Sequence, residues 1–291
     1  MAKRRRFIWQ LRKKPLALGE RTLVMGVLNV TPDSFLDGGK FFDVKRAVEH
    51  ALAMQRDGAD IIDIGAESTR PGSEGISVVE ELARLLPVLE ALRGKLRIPV
   101  SVDTQKAPVA ELAIGAGAAI INDVSGLRSD SRLAEVVARH RVPIILMHMR
   151  GTPRTMQKPP FAKNVMRDVA SGLKKSVAMA QEAGIKKDKI VLDPGIGFGK
   201  SFEQNYELLA KLPELAKLGY PLLVGTSRKG FIGKTLSRNG KPAPAEKRIW
   251  GTAATVTASI LGGTHIVRVH DVAEMVQVVR IADCVLSGGK H

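Results

Sequence analysis

Polar residues recur at one kind of position in this sequence, directly after short apolar runs. Asn29, Asp63, Asp103, Asn122, Asp123, His148, Asp193, Ser227, Lys229, Arg268 and His270 all stand at or just past the end of such a run. Taken singly, each reads as a loop-start turn or a helix cap, because short polar side chains bond readily to nearby backbone. Taken together they put both signs of charge where a parallel sheet would end. A carboxylate there can accept two adjacent N–H donors as a bidentate pair. Arg268 and His270 are two apart, share one face of a strand, and suit a clamp on phosphate.

Positioning such residues requires strands that stop at the same level. A repeated unit supplies them: a helix-period stretch ends near glycine, and an apolar strand then ends in a polar residue. The expected strands are Val24–Asn29, Ile61–Gly65, Val100–Asp103, Ile120–Asp123, Ile144–His148, Ile190–Asp193, Leu222–Ser227 and Ile266–His270. Their continuous apolar character fits a parallel sheet buried on both faces. Between them, Val44, Ala47, Val48, Ala51 and Leu52 lie on one helical face, with Asp43 as a candidate cap and Gly58 as a stop. Ser77 and Glu80 form a capping-box pattern ahead of a leucine-rich helix.

A chain of 291 residues can bury one large barrel or two smaller domains. Eight βα units favour a single (β/α)8 TIM barrel over a doubly wound sheet, occupying residues 23–291. Residues 1–22 are expected to form a basic tail and a short N-terminal hairpin, from Phe7–Leu11 and Pro15–Leu18, over the barrel bottom. Three connections are long and rich in Gly or Pro: Thr31–Phe42, Ser68–Ser77 and Phe231–Glu246. In a barrel, such loops build the site.

Composition narrows the function classes. No apolar run reaches the roughly 20 residues of a membrane span. The basic start Lys3-Arg4-Arg5-Arg6 has no apolar core after it, so secretion is not expected. A single cysteine, Cys284, rules out an intrachain disulfide and is expected in the core. The net charge of +16 raises nucleic acid as a partner, but outside the N-terminus the basic residues are scattered and no stacking motif accompanies them. A solvated basic surface is the better reading.

Other signals fail on spacing. Gly195–Ser201 has Pro194 where a phosphate loop needs glycine, and Gly233-Lys234-Thr235 has Arg228 there. The first is expected to be a turn. His265 and His270, five apart, face opposite sides of a strand and cannot chelate one metal. His148, between two methionines, is expected to be a structural histidine satisfied by backbone. No Ser/His/Asp arrangement suggests a covalent intermediate.

Longer motifs carry a family resemblance. Asn29-Val30-Thr31-Pro32-Asp33-Ser34-Phe35 after the first strand and Glu67-Ser68-Thr69-Arg70-Pro71-Gly72 after the second resemble the two signatures of dihydropteroate synthase. Ser101–Thr104, Ile121–Asp123, Met147–Met149, Asp193–Gly195, Ser227–Lys229 and Arg268–Asp271 follow in the family's order. Two features depart from the pattern: Leu36 stands where a small polar residue is expected, and the basic N-terminal segment is not a hallmark.

The resemblance implies condensation of 6-hydroxymethyl-7,8-dihydropterin diphosphate with p-aminobenzoate, releasing pyrophosphate by an SN1-like route. It implies that Asp103, Asn122, Asp193 and Lys229 bind the pterin, with Met147 and Phe198 packed on it. Asn29, Arg70, Arg268 and His270 would hold the diphosphate, and Asn29 would bind Mg2+. Thr69, Pro71, Ser227 and Lys229 would form the p-aminobenzoate pocket. Asp103, Lys229 and Arg268 would be the catalytic groups. A cytoplasmic homodimer inhibited by sulfonamides is also implied, with no nucleic-acid or membrane partner. The competing readings are a pterin-binding methyltransferase and a noncatalytic pterin-binding or nucleic-acid-binding protein.

Overall fold

The computed structural model describes residues 4–31, 40–70, 72–159 and 161–289. Strands β1 (Phe7–Trp9) and β2 (Leu16–Leu18) form an antiparallel hairpin. Then come β3 (Leu23–Asn29), β4 (Ile61–Gly65), β5 (Val100–Asp103), β6 (Ile120–Asp123), β7 (Ile144–Met147), β8 (Ile190–Asp193), β9 (Leu223–Val224) and β10 (Ile266–Val269). These eight are parallel, in the order β8-β7-β6-β5-β4-β3-β10-β9. A parallel bridge between Leu192 and Leu222 joins the two outer strands and closes the barrel. The predicted (β/α)8 architecture is therefore the observed one.

The helices are α1 (Lys40–Arg56), α2 (Val78–Leu92), α3 (Ala107–Ala116), α4 (Leu133–His140), α5 (Val165–Glu182), α6 (Phe202–Ala210), α7 (Leu212–Ala216), α8 (Gly230–Thr235), α9 (Ile249–Leu261) and α10 (Val272–Ser287). Outward-facing strand residues such as Ile62, Ile121, Leu192 and Val267 join the helices' apolar faces in one continuous core. Inward-facing residues form two tiers. Met25, Ile61, Ile120, Ile145, Val191, Leu223 and Ile266 make an apolar floor under which Trp9 and Leu18 of the hairpin pack. Two residues further along the same strands stand Asp63, Asn122, Met147, Asp193, Gly225 and Arg268, a polar tier one layer higher.

The N-terminal segment is part of this unit. Trp9 Nε1 donates to Lys189 O at 3.2 Å, and Arg4 Nη1 donates to Thr22 Oγ1 and Thr264 O while its Nη2 pairs with Asp283. His265 bonds Leu222 N through Nδ1 and Arg5 O through Nε2, so it serves the barrel bottom, far from His270 at the strand's other end.

Several boundaries differ from the sequence expectation. β9 is only Leu223–Val224, because the chain turns at Thr226, whose carbonyl accepts from Lys229 N at 3.1 Å. Ser227 thus lies in a loop, as do His148 and His270, one residue past their strands. α1 begins at Lys40, ahead of the proposed cap Asp43, and the span expected as a long loop from Phe231 contains most of α8. Ser77 does cap α2 by accepting from Glu80 N, but Glu80 pairs with Arg84 instead of completing the box. Cys284 is half-buried rather than core. Leu36 and most of the first long loop lie outside the described residues.

Trp9, 1% exposed, is the largest side chain sealing the floor. Trp9→Ala should destabilise the fold by about 3–5 kcal/mol, the usual cost of truncating a buried tryptophan, read from denaturant unfolding. A loss below about 1 kcal/mol would mean that the hairpin does not close the barrel.

Candidate active site

Above the polar tier the strand ends surround a cavity. Its lining includes Thr69, Asp103, Asn122, Met147, Asp193, Phe198, Ser227, Lys229, Arg268 and His270, all singled out from sequence, together with Val124, Ile196 and Gly225, which were not. Asn29 stands beside it: a Cβ placed on Gly65 would lie 3.8 Å from both Asn29 Oδ1 and Asp103 Oδ2. Glycine at 65 keeps open a gap faced by two hard oxygen donors. Arg70 is exposed on the loop after β4, outside this lining, and Pro71 lies outside the described residues.

Charge in the cavity is organised around Arg268. Its Nε donates to Asp63 Oδ2 at 2.7 Å and its Nη2 to Asp103 Oδ2 at 3.0 Å. Asn122 Nδ2 donates to the same Asp63 oxygen at 3.0 Å. Asp63 is fully buried, and its Oδ1 has no partner. Sequence reading noted Asp63 as a strand-end polar residue but gave it no role; its charge between Ile62 and Ile64 was the available signal. Burial pushes the Asp103 carboxyl up to about 8 against the opposing pull of Arg268, with Asp63, Glu81 and Asp123 adding like-charge repulsion. Burial also raises Asp193, whose Oδ1 accepts from Gly195 N at 2.7 Å.

Two lysines approach this region, and they differ in what they face. Lys229 Nζ lies 3.9 Å from the centroid of the Phe198 ring, and burial pushes its ammonium down to about 8. A side chain at Gly197 would come within 3.1 Å of Lys229 Cδ, and φ is +85° there, so glycine is required on both counts. Lys200, which sequence reading passed over with its rejected phosphate loop, is buried with Nζ bonded to His148 O at 2.7 Å and Gly195 O at 2.8 Å. It ties the Gly195 turn to the end of β7 and is turned away from any ligand's phosphate.

Burial keeps His270 and His148 neutral. His270 Nδ1 meets Ser227 Oγ at 3.0 Å, and burial, with Arg268 and Arg228 nearby, pushes its ring down to about 3. It can donate a hydrogen bond to an anion but carries no charge at neutral pH. His148 was expected to be satisfied by backbone, but its ring Nδ1 has no partner, and Nε2 faces Asp168 at 3.6 Å. α5 packs closely on the other edge of the ring: a Cβ on Gly172 would sit 2.4 Å from His148 Cδ2. Asp123 accepts from Ser125 N and Leu127 N, the bland turn role. Among the described residues no cluster of three His, Cys, Asp or Glu could hold a metal.

Arg268→Met would leave two buried carboxylates without their shared cation. At neutral pH it should destabilise the protein by about 3–5 kcal/mol in denaturant unfolding, as breaking a buried ion pair does. A change under about 1 kcal/mol would show that water, not Arg268, compensates the acids.

With this geometry in hand, comparison with known proteins is informative. A family model described as pterin binding enzyme matches residues 25–270. Dihydropteroate synthase of Synechocystis is 50% identical over 265 residues, covering 91% of this chain and 90% of the relative. That of Bacillus subtilis is 48% identical over 281 residues, covering 96% and 94%. Among solved structures, Yersinia pestis dihydropteroate synthase with a sulfonamide drug superposes with TM-score 0.89 at 42% identity, covering 97% of this chain and all of that one. The Xanthomonas albilineans enzyme with 4-aminobenzoic acid gives 0.88 at 42%, covering 97% and 98%. Relatives so similar over nearly their whole length, on the same barrel and with the resembling motifs around one cavity, establish that the chain belongs to the dihydropteroate synthase family.

Proposed function

We propose that this protein condenses 6-hydroxymethyl-7,8-dihydropterin diphosphate with p-aminobenzoate to give 7,8-dihydropteroate and pyrophosphate, a step of folate synthesis. The observation that carries the reading is one cavity lined by both acceptors, Asp193 and Asn122, and cations, Lys229 and Arg268. A pterin presents ring N–H and exocyclic amine donors side by side, which Asp193 accepts as a pair, while Asn122 reads a second edge. Lys229 donates to the ring carbonyl and its neighbouring nitrogen. Met147 and Phe198 cover the ring.

In the SN1-like route the C–O bond to the diphosphate breaks with its electron pair leaving on pyrophosphate, and a pterin-methyl cation develops. Arg268 has Nε and Nη2 engaged with Asp63 and Asp103, leaving the Nη1 hydrogens for phosphate oxygens. His270 adds a neutral donor, and Arg70 approaches the same oxygens from its loop. Asp103 faces the developing cation, which favours the ionised form of its carboxyl. The amide oxygen of Asn29, beside the gap at Gly65, fits a hard cation that takes its remaining oxygens from diphosphate and water. Mg2+ bound there would neutralise leaving-group charge. The arylamine nitrogen then attacks the methylene, forming C–N and losing a proton. Thr69, Pro71, Ser227 and Lys229 would hold p-aminobenzoate, where positioning and exclusion of water do most of the work.

A methyltransferase-type barrel would have no use for the cation set, which weighs against that reading. Sulfonamides, resembling p-aminobenzoate, should compete for its pocket. A cytoplasmic homodimer is part of the same proposal. It is supported by the lone cysteine and by exposed apolar side chains on the adjoining helices α9 and α10, Trp250 on the first and Ile281 and Val285 on the second. Among the described residues no helix is long and apolar enough to cross a membrane.

The reaction is tested by mass identification of the product and by pyrophosphate release. Dihydropteroate should form only with both substrates and should cease when EDTA removes Mg2+; binding of the pterin diphosphate without product would sink the synthase reading. Asp193→Ala should weaken binding of 6-hydroxymethyl-7,8-dihydropterin by about 2–4 kcal/mol with the fold intact. The Lys229 ammonium donates below about 8 and loses its proton above it, so pterin affinity should fall as pH rises through that value. The titration is read in Asp103→Asn, because Asp103 ionises over the same range; a flat profile there would remove Lys229 from the ring carbonyl.

A further inference from the structure

The loop after β4 brings Thr69 to the cavity lining, with Arg70 exposed next to it, and its two ends converge on one ammonium. Lys106, the residue before α3, lies with Nζ 3.2 Å from Glu67 Oε1 at the loop's start and 2.8 Å from Ile76 O at its end. The same Nζ is 2.5 Å from Glu81 Oε2 on α2. Glu67 Oε1 also accepts from Ile76 N at 2.9 Å, drawing the loop's ends together. A Cβ on Gly75 would stand 3.2 Å from that oxygen, so the bare backbone there lets the carboxylate in.

Electrostatics makes this contact more than a brace. Glu81 is fully buried and its second oxygen, Oε1, has no partner. Two carboxylates and one ammonium share the point, and without the ammonium the acids repel each other in a medium that screens poorly. Lys106 also sits three residues past Asp103, and its backbone N donates to Thr104 Oγ1. The turn that ends β5 at the pterin wall is therefore the turn that grips the neighbouring loop.

We propose that Lys106 is a positioning residue that, clamped between Glu67 and Glu81, sets the height of the Thr69–Arg70 loop over the cavity and so governs capture of the arylamine substrate while touching neither substrate. This rests on the reading that Thr69's loop receives p-aminobenzoate. A residue that merely stabilised the fold would weaken both substrates alike; one that sets the loop separates them. Of the pterin's contacts, Asp193, Asn122 and Lys229 stand at the ends of other strands, and only Asp103 shares the turn of Lys106.

The test is two-substrate kinetics on the full-length Lys106→Met variant, with titration calorimetry of 6-hydroxymethyl-7,8-dihydropterin as the independent readout. KM for p-aminobenzoate should rise about tenfold or more while pterin Kd stays within about twofold, and Lys106→Arg should recover most of the loss. An unchanged KM in the folded variant, or equal weakening of both substrates, overturns the proposal. If Lys106→Met does not fold, Glu67→Gln decides: it keeps an acceptor for Ile76 N while removing one charge, and should raise the same KM by a smaller factor. No change there overturns the proposal too. Wild-type protein that makes no dihydropteroate would defeat the reaction reading alone. In that case hydrogen exchange of residues 67–70 and 72–77 still decides the clamp, being faster in Lys106→Met if it holds and unchanged if it does not.

Discussion

One guanidinium shared by two buried carboxylates is the constraint around which the upper barrel is arranged. Arg268 lies on β10, which pairs with β3; Asp63 and Asp103 lie on β4 and β5, the next strands round. The contact therefore spans β3, and it exists only because the barrel closes with those strands in that register. Burying charge is expensive, and an ion pair inside a protein barely repays its desolvation even with good geometry. Here one cation serves two acids, and Asp63 Oδ1 has no partner at all. The arrangement is poor for stability and apt for a site that must receive a polyanion and face a developing cation. Stability sacrificed in this way is common at functional sites.

The floor of the barrel makes that arrangement tolerable. On four of the strands the inward residues go from apolar to polar in one step of two: Ile61 then Asp63, Ile120 then Asn122, Val191 then Asp193, Ile266 then Arg268. The lower member packs against Trp9 and Leu18 of the hairpin, which exclude water from below. Folding free energy comes largely from burial in this floor and in the outer shell of strand against helix. The polar tier is left free of any structural duty except its own charge balance. This tiering also accounts for the hairpin, without which the apolar floor contributed by seven strands would be open to solvent.

Much of this was legible in the sequence because parallel barrel strands are buried on both sides and stop at a common level. The runs from Ile61, Val100, Ile120 and Ile190 ended where their apolar character ended. The seventh strand did not: Leu222–Ser227 looks continuous, but a turn at Thr226 takes the chain out of the sheet after Val224, and nothing in local periodicity distinguishes a strand from an apolar stretch that bends. The site residues lining the cavity were found through motif and strand-end position. What could not be found was pairing at a distance. That Asp63 binds both Arg268 and Asn122, or that Lys106 meets Glu67 and Glu81, depends on which strands become neighbours, and one sequence does not carry that information. The surroundings of His148 were hidden for a related reason, since the glycine of α5 that crowds its ring lies 24 residues away in the chain.

Lys200 and Lys229 bring the argument to individual atoms. Both are lysines near the turn after β8, and both are held below the usual lysine range by burial. Lys200 stands next to a glycine-rich turn that resembles a phosphate loop until its spacing is checked. Its ammonium, however, is spent on two main-chain carbonyls, and the turn it fastens is the one from which Gly195 N reaches Asp193. Lys229 instead lays its ammonium over an aromatic face in the cavity lining, a contact that neutralises little. The same side chain is thus a fastener in one place and a cavity-lining cation in the other. The difference lies in whether the backbone offers carbonyls where the nitrogen arrives.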